Sequence, residues 1–356
     1  MANRKTAVSP LRIGILGCAH IARQFARDVA PSADVKVVAV ASRQLDTAAE
    51  FSKSFGVARH YGHYAALLSD VNVDAIYLPL PNSMHADWAI QAAEAGKHVL
   101  CEKPLSLGLV QAQRMFEAAR SHKVMLLEAY PYYFQPQTAA MLDILRAGDI
   151  GAVRSVQASF GFTLSNPGNN IRLNPQLGGG ALLDAGSYAL SLIRLVMGCA
   201  PQRVHAEATW AETGVDISLM ATLCYADGRR AQLSCAMDTA YQRIATIAGS
   251  LGVIQTEFQN HTASRVGDNA YGYIPSRLSV RRGTANSIPY EDVVCGSGSG
   301  FRFAAEAFAQ VVRQRDFDAI ERAAQASLDN AATLEAIGQS ARLGQAVEVV
   351  YAGGLI

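Results

Sequence analysis

The feature that most constrains this chain is a series of short apolar runs, each followed by a helical pattern, across residues 11–128. Leu11–Leu16 (LRIGIL), Val35–Ala41 (VKVVAVA), Ala75–Leu80, His98–Cys101 and Val124–Leu127 are short runs rich in Val, Ile and Leu, without sustained alternation with polar residues. Such runs predict strands buried on both faces. Helices are expected between them at 21–29, 47–55, 63–69, 84–95 and 106–121. Strands joined through helices favour right-handed crossovers, so the expected product is a parallel, doubly wound α/β sheet.

After Leu127 the pattern changes. Glu128–Gln137 (EAYPYYFQPQ) places three tyrosines and two prolines in a bend, read either as the wall of a sugar-sized pocket or as an aromatic packing knot. A helix is expected at 138–147. Beyond it come strand candidates at 153–162, 204–211, 217–225, 230–238, 243–249, 252–258 and 277–281, separated by turn signals such as Ala226-Asp227-Gly228. This predicts a large, open, mostly antiparallel sheet in an α+β unit, closed by helices at 301–313 and 323–343. A chain of 356 residues exceeds one ordinary core, so two domains are expected, 1–130 and 131–356, with the last helices packing back on the first. One open sheet face leads us to expect a homo-oligomer, dimer or tetramer, formed through the C-terminal sheet.

Composition excludes several classes. Lys+Arg number 31 against Asp+Glu 30, with no basic block, so no nucleic-acid or anionic-membrane partner is expected. No run approaches the ~20 apolar residues of a membrane span, and MANRKTAVSP lacks the apolar core of a signal peptide. Six scattered cysteines without C-x-x-C spacing predict reduced, buried thiols in a cytoplasmic protein and no metal site.

The first strand ends in Gly17-Cys18-Ala19-His20-Ile21-Ala22. In a G-x-G-x-x-G fingerprint the three small positions fall on Gly17, Ala19 and Ala22. The glycine permits the tight turn, Ala19 lets backbone N–H groups approach a pyrophosphate, and Ala22 allows close helix–strand packing. The helix N-terminus adds partial positive charge. At the end of the second strand, where a carboxylate would bind a ribose 2′-OH, the chain has Ser42 and Arg43. A hydroxyl and a guanidinium suit a 2′-phosphate, so NADP(H) is expected over NAD(H), with NAD(H) still admissible. Leu80-Pro81-Asn82 leaves the third predicted strand as a rigid loop. Asn82 is read as a cofactor contact or a helix cap, and His85 as structural or cofactor-side. Glu102-Lys103-Pro104 stops the strand at Cys101, and Glu102 and Lys103, like Leu80 before them, are taken as cofactor contacts. Proline keeps Lys103 out of the helical region, at the sheet edge where ligands bind, although a solvated surface lysine is the plainer alternative. Farther on, Arg172 precedes Gly178-Gly179-Gly180 and a helical pattern carrying Asp184 and Tyr188 four residues apart, on one face. Arg172 is read as a cofactor or substrate contact, or as an ordinary ion pair. A phenol with its usual pKa of ~10 needs a nearby cation to relay protons at neutral pH, and Lys103 is the candidate.

On GILGCAHIA, AIYLPLPNSMH, HVLCEKPL and LGGGALLDAGSY the chain resembles the Gfo/Idh/MocA oxidoreductase family over essentially its whole length. The resemblance implies an N-terminal Rossmann domain, a C-terminal domain with a large open sheet, and a cis peptide before Pro104. It implies a catalytic lysine matched by Lys103, with Asp184 and Tyr188 as its partners in the later helix. Many members carry His at the place of Tyr188. Tyrosine resembles the branch with glucose-fructose oxidoreductase, dihydrodiol dehydrogenase and deoxysugar 3-ketoreductases. Many relatives also have arginine where this chain has Tyr133. The expected activity is hydride transfer between NAD(P)(H) and a small-molecule, sugar-like secondary alcohol or ketone. Two alternatives are a glycoside hydrolase working by transient oxidation and a non-catalytic dinucleotide sensor.

Overall fold

The computed structural model describes residues 9–260, 273 and 276–351; the N-terminal MANRKTAV lies outside them. The first half runs β1 Leu11–Leu16, α1 His20–Val29, β2 Val35–Ala41, α2 Leu45–Phe55, β3 Arg59–Tyr61, α3 Tyr64–Leu68, β4 Ala75–Leu78, α4 His85–Glu94, β5 His98–Glu102, α5 Leu109–Ser121 and β6 Leu126–Ala129. The six strands are parallel in the order β3-β2-β1-β4-β5-β6. The order reverses between β1 and β4, and this switch point opens a crevice at the carboxyl ends of the strands. Ile13, Ile15, Val40, Ile76, Tyr77 and Leu100 are buried, as runs without alternation require.

The second half runs α6 Pro136–Ala147, β7 Val153–Thr163, α7 Ser187–Met197, β8 Arg203–Trp210, β9 Asp216–Cys224, β10 Arg230–Ala236, β11 Asp238–Gly249, β12 Gly252–Glu257, β13 Leu278–Arg282, β14 Glu291–Asp292, α8 Gly300–Gln314, α9 Phe317–Leu343 and β15 Val347–Glu348. Among the described residues its nine strands lie in the order β14-β13-β12-β11-β7-β10-β9-β8-β15, with β7 and β10 paired in parallel. Alternation along these strands buries one face against α6, α7 and α9, among them Val156, Leu219, Leu223, Leu233 and Ile247. Helix α8 returns to the first sheet, where Phe301 and Phe308 share a buried cluster with Ile13, Ile15 and Phe25.

Several expectations are corrected. The strand β3 carries Arg59 and His60 and has no apolar run to announce it. Strand β6 begins two residues late because its register with β5 starts at the Val99–Leu126 pair. Strand β10 stops at Ala236, and Asp238 belongs to β11, whose pairing with β7 is interrupted between Asp238 and Gln242. Helix α9 starts at Phe317 because the Asp316 carboxylate accepts from the Ala319 N–H. All six cysteines are free, but only Cys101 and Cys235 are buried and Cys199 is exposed. One helical stretch, Pro175–Met197, is long and apolar enough to cross a membrane by length and composition, against the expectation that none would be. It is mostly buried inside the protein, as a core helix is.

Candidate active site

At the β1–α1 turn, Gly17 adopts φ +103, and a Cβ there would come within 3.0 Å of Leu80 Cδ2. Helix α1 opens from Ala19 with no side-chain cap, and Ala19 and His20 are exposed. Ile21 is half-buried and Ala22 fully buried. The first N–H groups of the helix are therefore left without a side-chain cap at an exposed turn. Ser42 and exposed Arg43 stand at the end of β2, beside that turn, where the Gly17 N–H donates to the Ala41 carbonyl at 2.8 Å. A cradle that a side chain would fill, an uncapped helix start and an exposed guanidinium fit a dinucleotide phosphate.

Two predicted residues act from beneath this surface. His85 is fully buried, its ring nitrogens 2.9 Å from the Pro104 carbonyl and 2.8 Å from that of Leu80. It staples the two loops that flank the crevice. Glu102 is buried and accepts from the Tyr77 hydroxyl at 2.6 Å; burial pushes its carboxyl up. Asn82 caps no helix, since its side chain donates instead to the Gly178 carbonyl at 2.8 Å, tying the first half to the glycine run of the second.

The other predicted residues converge. The Lys103–Pro104 peptide is cis. Lys103 Nζ donates to Asp184 Oδ1 and to the Asp184 carbonyl, both at 2.9 Å, and lies 4.7 Å from the centre of the Tyr188 ring. Arg172 Nε donates to Asp184 Oδ2 at 2.5 Å. Burial alone would raise the Asp184 carboxyl, but Lys103 and Arg172 hold it at about 2. For Lys103, burial works against the charge and the Asp184 carboxylate outweighs it, so its pKa is raised. Tyr188 is buried, and desolvation raises its pKa against the pull of Lys103 and Arg243.

Asp184 sits in a π-helical turn, Leu182–Gly186, that leads into α7. The turn is fixed by Asp216, whose carboxylate accepts from the Leu182 N–H at 2.6 Å. Gly180 precedes it at φ +114, and a Cβ there would run into Asp216 Oδ1. Around Tyr188 the bend acts as a packing knot: Tyr130 and Tyr132 are buried with ring centres 5.5 and 6.2 Å from that of Tyr188, while Tyr133 is exposed. A cavity of about 420 Å3 lies between this bend and the last helices, lined by Glu128, Tyr130, Ser191 and Ser327 among others and by none of the predicted site residues.

Three residues of this neighbourhood escaped the sequence reading: Asp216, Arg243 and Asn260. One signal was available. Arg243 shares strand parity with Ala245 and Ile247, both buried, so alternation puts an arginine on the core face.

An uncapped Gly-turn at a topological switch point, with a lysine at the end of a neighbouring strand paired to a carboxylate and set against a buried tyrosine, defines a pyridine-nucleotide-dependent oxidoreductase. Residues 11–130 match the oxidoreductase family with an NAD-binding Rossmann fold, and residues 138–255 match the GFO/IDH/MocA C-terminal domain. The chain belongs to the GFO/IDH/MocA family. It is 34% identical over 343 residues to D-xylose 1-dehydrogenase (NADP(+)) 2 of Haloferax volcanii, covering 95% of this chain and 100% of that one. It is 35% identical over 354 residues to dTDP-3,4-didehydro-2,6-dideoxy-alpha-D-glucose 3-reductase of Streptomyces violaceoruber, covering 96% and 98%. Among solved structures, the 3-ketoreductase KijD10 of Actinomadura kijaniata in complex with NADP and TDP-benzene superposes with a TM-score of 0.81 at 32% identity, covering 93% of this chain and 98% of that chain.

Proposed function

We propose that this chain is an NADP(H)-preferring oxidoreductase acting on a sugar or sugar-like secondary alcohol or ketone. The observation that carries the reading is the Lys103–Asp184–Tyr188 cluster at the carboxyl end of β5, beside the crevice at the β1–β4 switch point. The xylose dehydrogenase and the deoxysugar 3-reductases among the relatives support a sugar-like substrate and NADP. Gly17, Ala19, His20, Ile21 and Ala22 would hold the pyrophosphate, and Ser42 with Arg43 the 2′-phosphate. NADP(H), when bound there, supplies or accepts a hydride. In the reductive direction Tyr188 gives its proton to the carbonyl oxygen. Lys103 polarises that oxygen and lowers the cost of the phenolate. Asp184 holds Lys103 and Arg172 and keeps a lone pair on each oxygen for a substrate hydroxyl.

The domain boundary belongs at 130/131, within the aromatic bend that follows the parallel sheet, with α8 and α9 closing over both halves. A homo-oligomer assembled through the outer face of the nine-stranded sheet, and a cytoplasmic location, complete the reading; the unpaired cysteines support the latter. The test is a screen of sugars, ketosugars and polyols, including nucleotide-linked ketosugars, with both cofactors, followed by Tyr188→Phe on the best substrate. Loss of about 10²–10⁴-fold in kcat is expected. Full turnover by Tyr188→Phe would remove Tyr188 as the proton donor.

A further inference from the structure

Arg243 enters the core of the second domain from β11 and stands 5% exposed. No carboxylate pairs with it among the described residues. Its guanidinium instead lies 4.1 Å from the centre of the Tyr188 ring, 4.7 Å from Phe160 and 5.0 Å from Phe258. Burying a cation without a counter-ion is costly, and aromatic faces repay only part of that cost. The group that would become its counter-ion is the one stacked against it.

The contact is completed by Asn260. Arg243 Nη2 donates to Asn260 Oδ1 at 3.1 Å, and Asn260 Nδ2 is 2.7 Å from the Tyr188 hydroxyl oxygen. A guanidinium has no acceptor, so the amide oxygen must face Arg243 and the amide NH2 must face Tyr188. The Tyr188 oxygen therefore accepts from Asn260, and its own O–H is left to point elsewhere. The Asn260 backbone is pinned in turn: its carbonyl accepts from the Gly300 N–H at 2.8 Å and from Gln135 Nε2 at 2.6 Å.

We propose that Arg243, acting through Asn260 and through the face of the Tyr188 ring, is a positioning residue that aims the Tyr188 proton at the substrate and stabilises the phenolate left behind. This rests on Tyr188 being the proton donor. In the reductive step the Tyr188 O–H bond breaks, the proton goes to the substrate oxygen and both electrons stay on the phenol oxygen. The phenolate then takes a proton from water before the next turnover. The groups facing Tyr188 are Glu102 on β5, Lys103 just after it, Tyr77 on β4, Arg243 on β11, Asn260 after β12, Tyr130 and Tyr132 in the bend, and Phe160 on β7. Lys103 and Arg243 are the cations among them, so removing Arg243 leaves Lys103 and the Asn260 hydrogen bond to oppose the desolvation of a phenolate.

The experiment is the pH profile of the reductive kcat, with NADPH binding measured in parallel. Tyr188 must be protonated to donate, so the rate falls as pH rises through its pKa. In Arg243→Met this falling limb should move up by about one pH unit and kcat at neutral pH should drop about tenfold, with the NADPH Kd within about twofold of wild type. Arg243→Lys should move the limb back part of the way. Asn260→Leu, which keeps the guanidinium, should move it in the same direction by less. If Arg243→Met loses NADPH binding through misfolding, Arg243→Lys and Asn260→Leu carry the test, and an unmoved limb in both overturns the proposal. An unmoved limb in Arg243→Met, in a background where Tyr188→Phe abolishes turnover, overturns it too. Full turnover by Tyr188→Phe would instead show that the reading of Tyr188 had failed.

Discussion

At the scale of single residues, charge and burial decide more than proximity. Arg43 is exposed at the end of β2, where the Tyr64 side chain is its neighbour. Its removal should therefore cost only the cofactor that carries a 2′-phosphate. Arg43→Ala is expected to raise KM for NADP about tenfold or more and to leave KM for NAD almost unchanged. Equal NADP preference before and after would remove the role given to Arg43. Glu128 is the opposite case. It is buried at the end of β6, its Oε1 accepts from the Leu105 N–H at 2.8 Å, and burial raises its pKa from 4.5 to about 7. A carboxyl that is harder to ionise when folded gives stability that is fully present below its unfolded pKa. That stability is lost as pH rises through the folded value, on the order of 3 kcal/mol at most. Thermal melts of Glu128→Gln should match wild type more closely near pH 4.5 and gain on it steadily up to about pH 7. A constant difference across that window would show that Glu128 ionises as freely in the folded protein as in the unfolded one.

At the scale of elements, the candidate site depends on how two short segments end. Strand β5 delivers Lys103 at its carboxyl end, and the sequence announced this through the proline that follows. The Asp184 segment was legible only in part. Spacing of four suggested one helical face, but the residues around Asp184 form a π-turn, and its carboxylate turns toward Lys103 and Arg172. What sets the turn is Asp216 on β9, 34 residues beyond Leu182, which no local pattern could have paired with it. Gly180 gives that carboxylate its room. Gly180→Ala would place a Cβ against Asp216 in a backbone region costly for any other residue, and should destabilise the protein by about 1–3 kcal/mol. Because the turn carries Asp184, kcat should fall further than KM rises. A folded, fully active Gly180→Ala would show that the turn has another way to relax.

At the scale of the whole molecule, the outer face of the nine-stranded sheet is left without a partner among the described residues. Gln157, His205, Glu207, Met220 and Thr222 line it, and Met220 is 70% exposed. Sedimentation of the wild type should show an oligomer, and Met220→Arg should shift it toward monomer while NADPH binding persists. A wild type that sediments as a monomer at micromolar concentration would remove the sheet face as an interface.

The sequence by itself determined the doubly wound first domain, the open sheet of the second, the Gly17 turn and the candidate pair of Lys103 with Tyr188. These follow from apolar periodicity and from residues whose local chemistry is unusual, and both are properties of neighbours along the chain. It could not determine that His85 and Glu102 brace the crevice from below, that Asn82 reaches Gly178 rather than a helix end, or that Arg243 and Asn260 meet the tyrosine from behind. Only the tertiary structure decided those. Each depends on which strand lies beside which and on which face an isolated polar side chain is buried against, and the energies involved arise between groups as far as 96 residues apart.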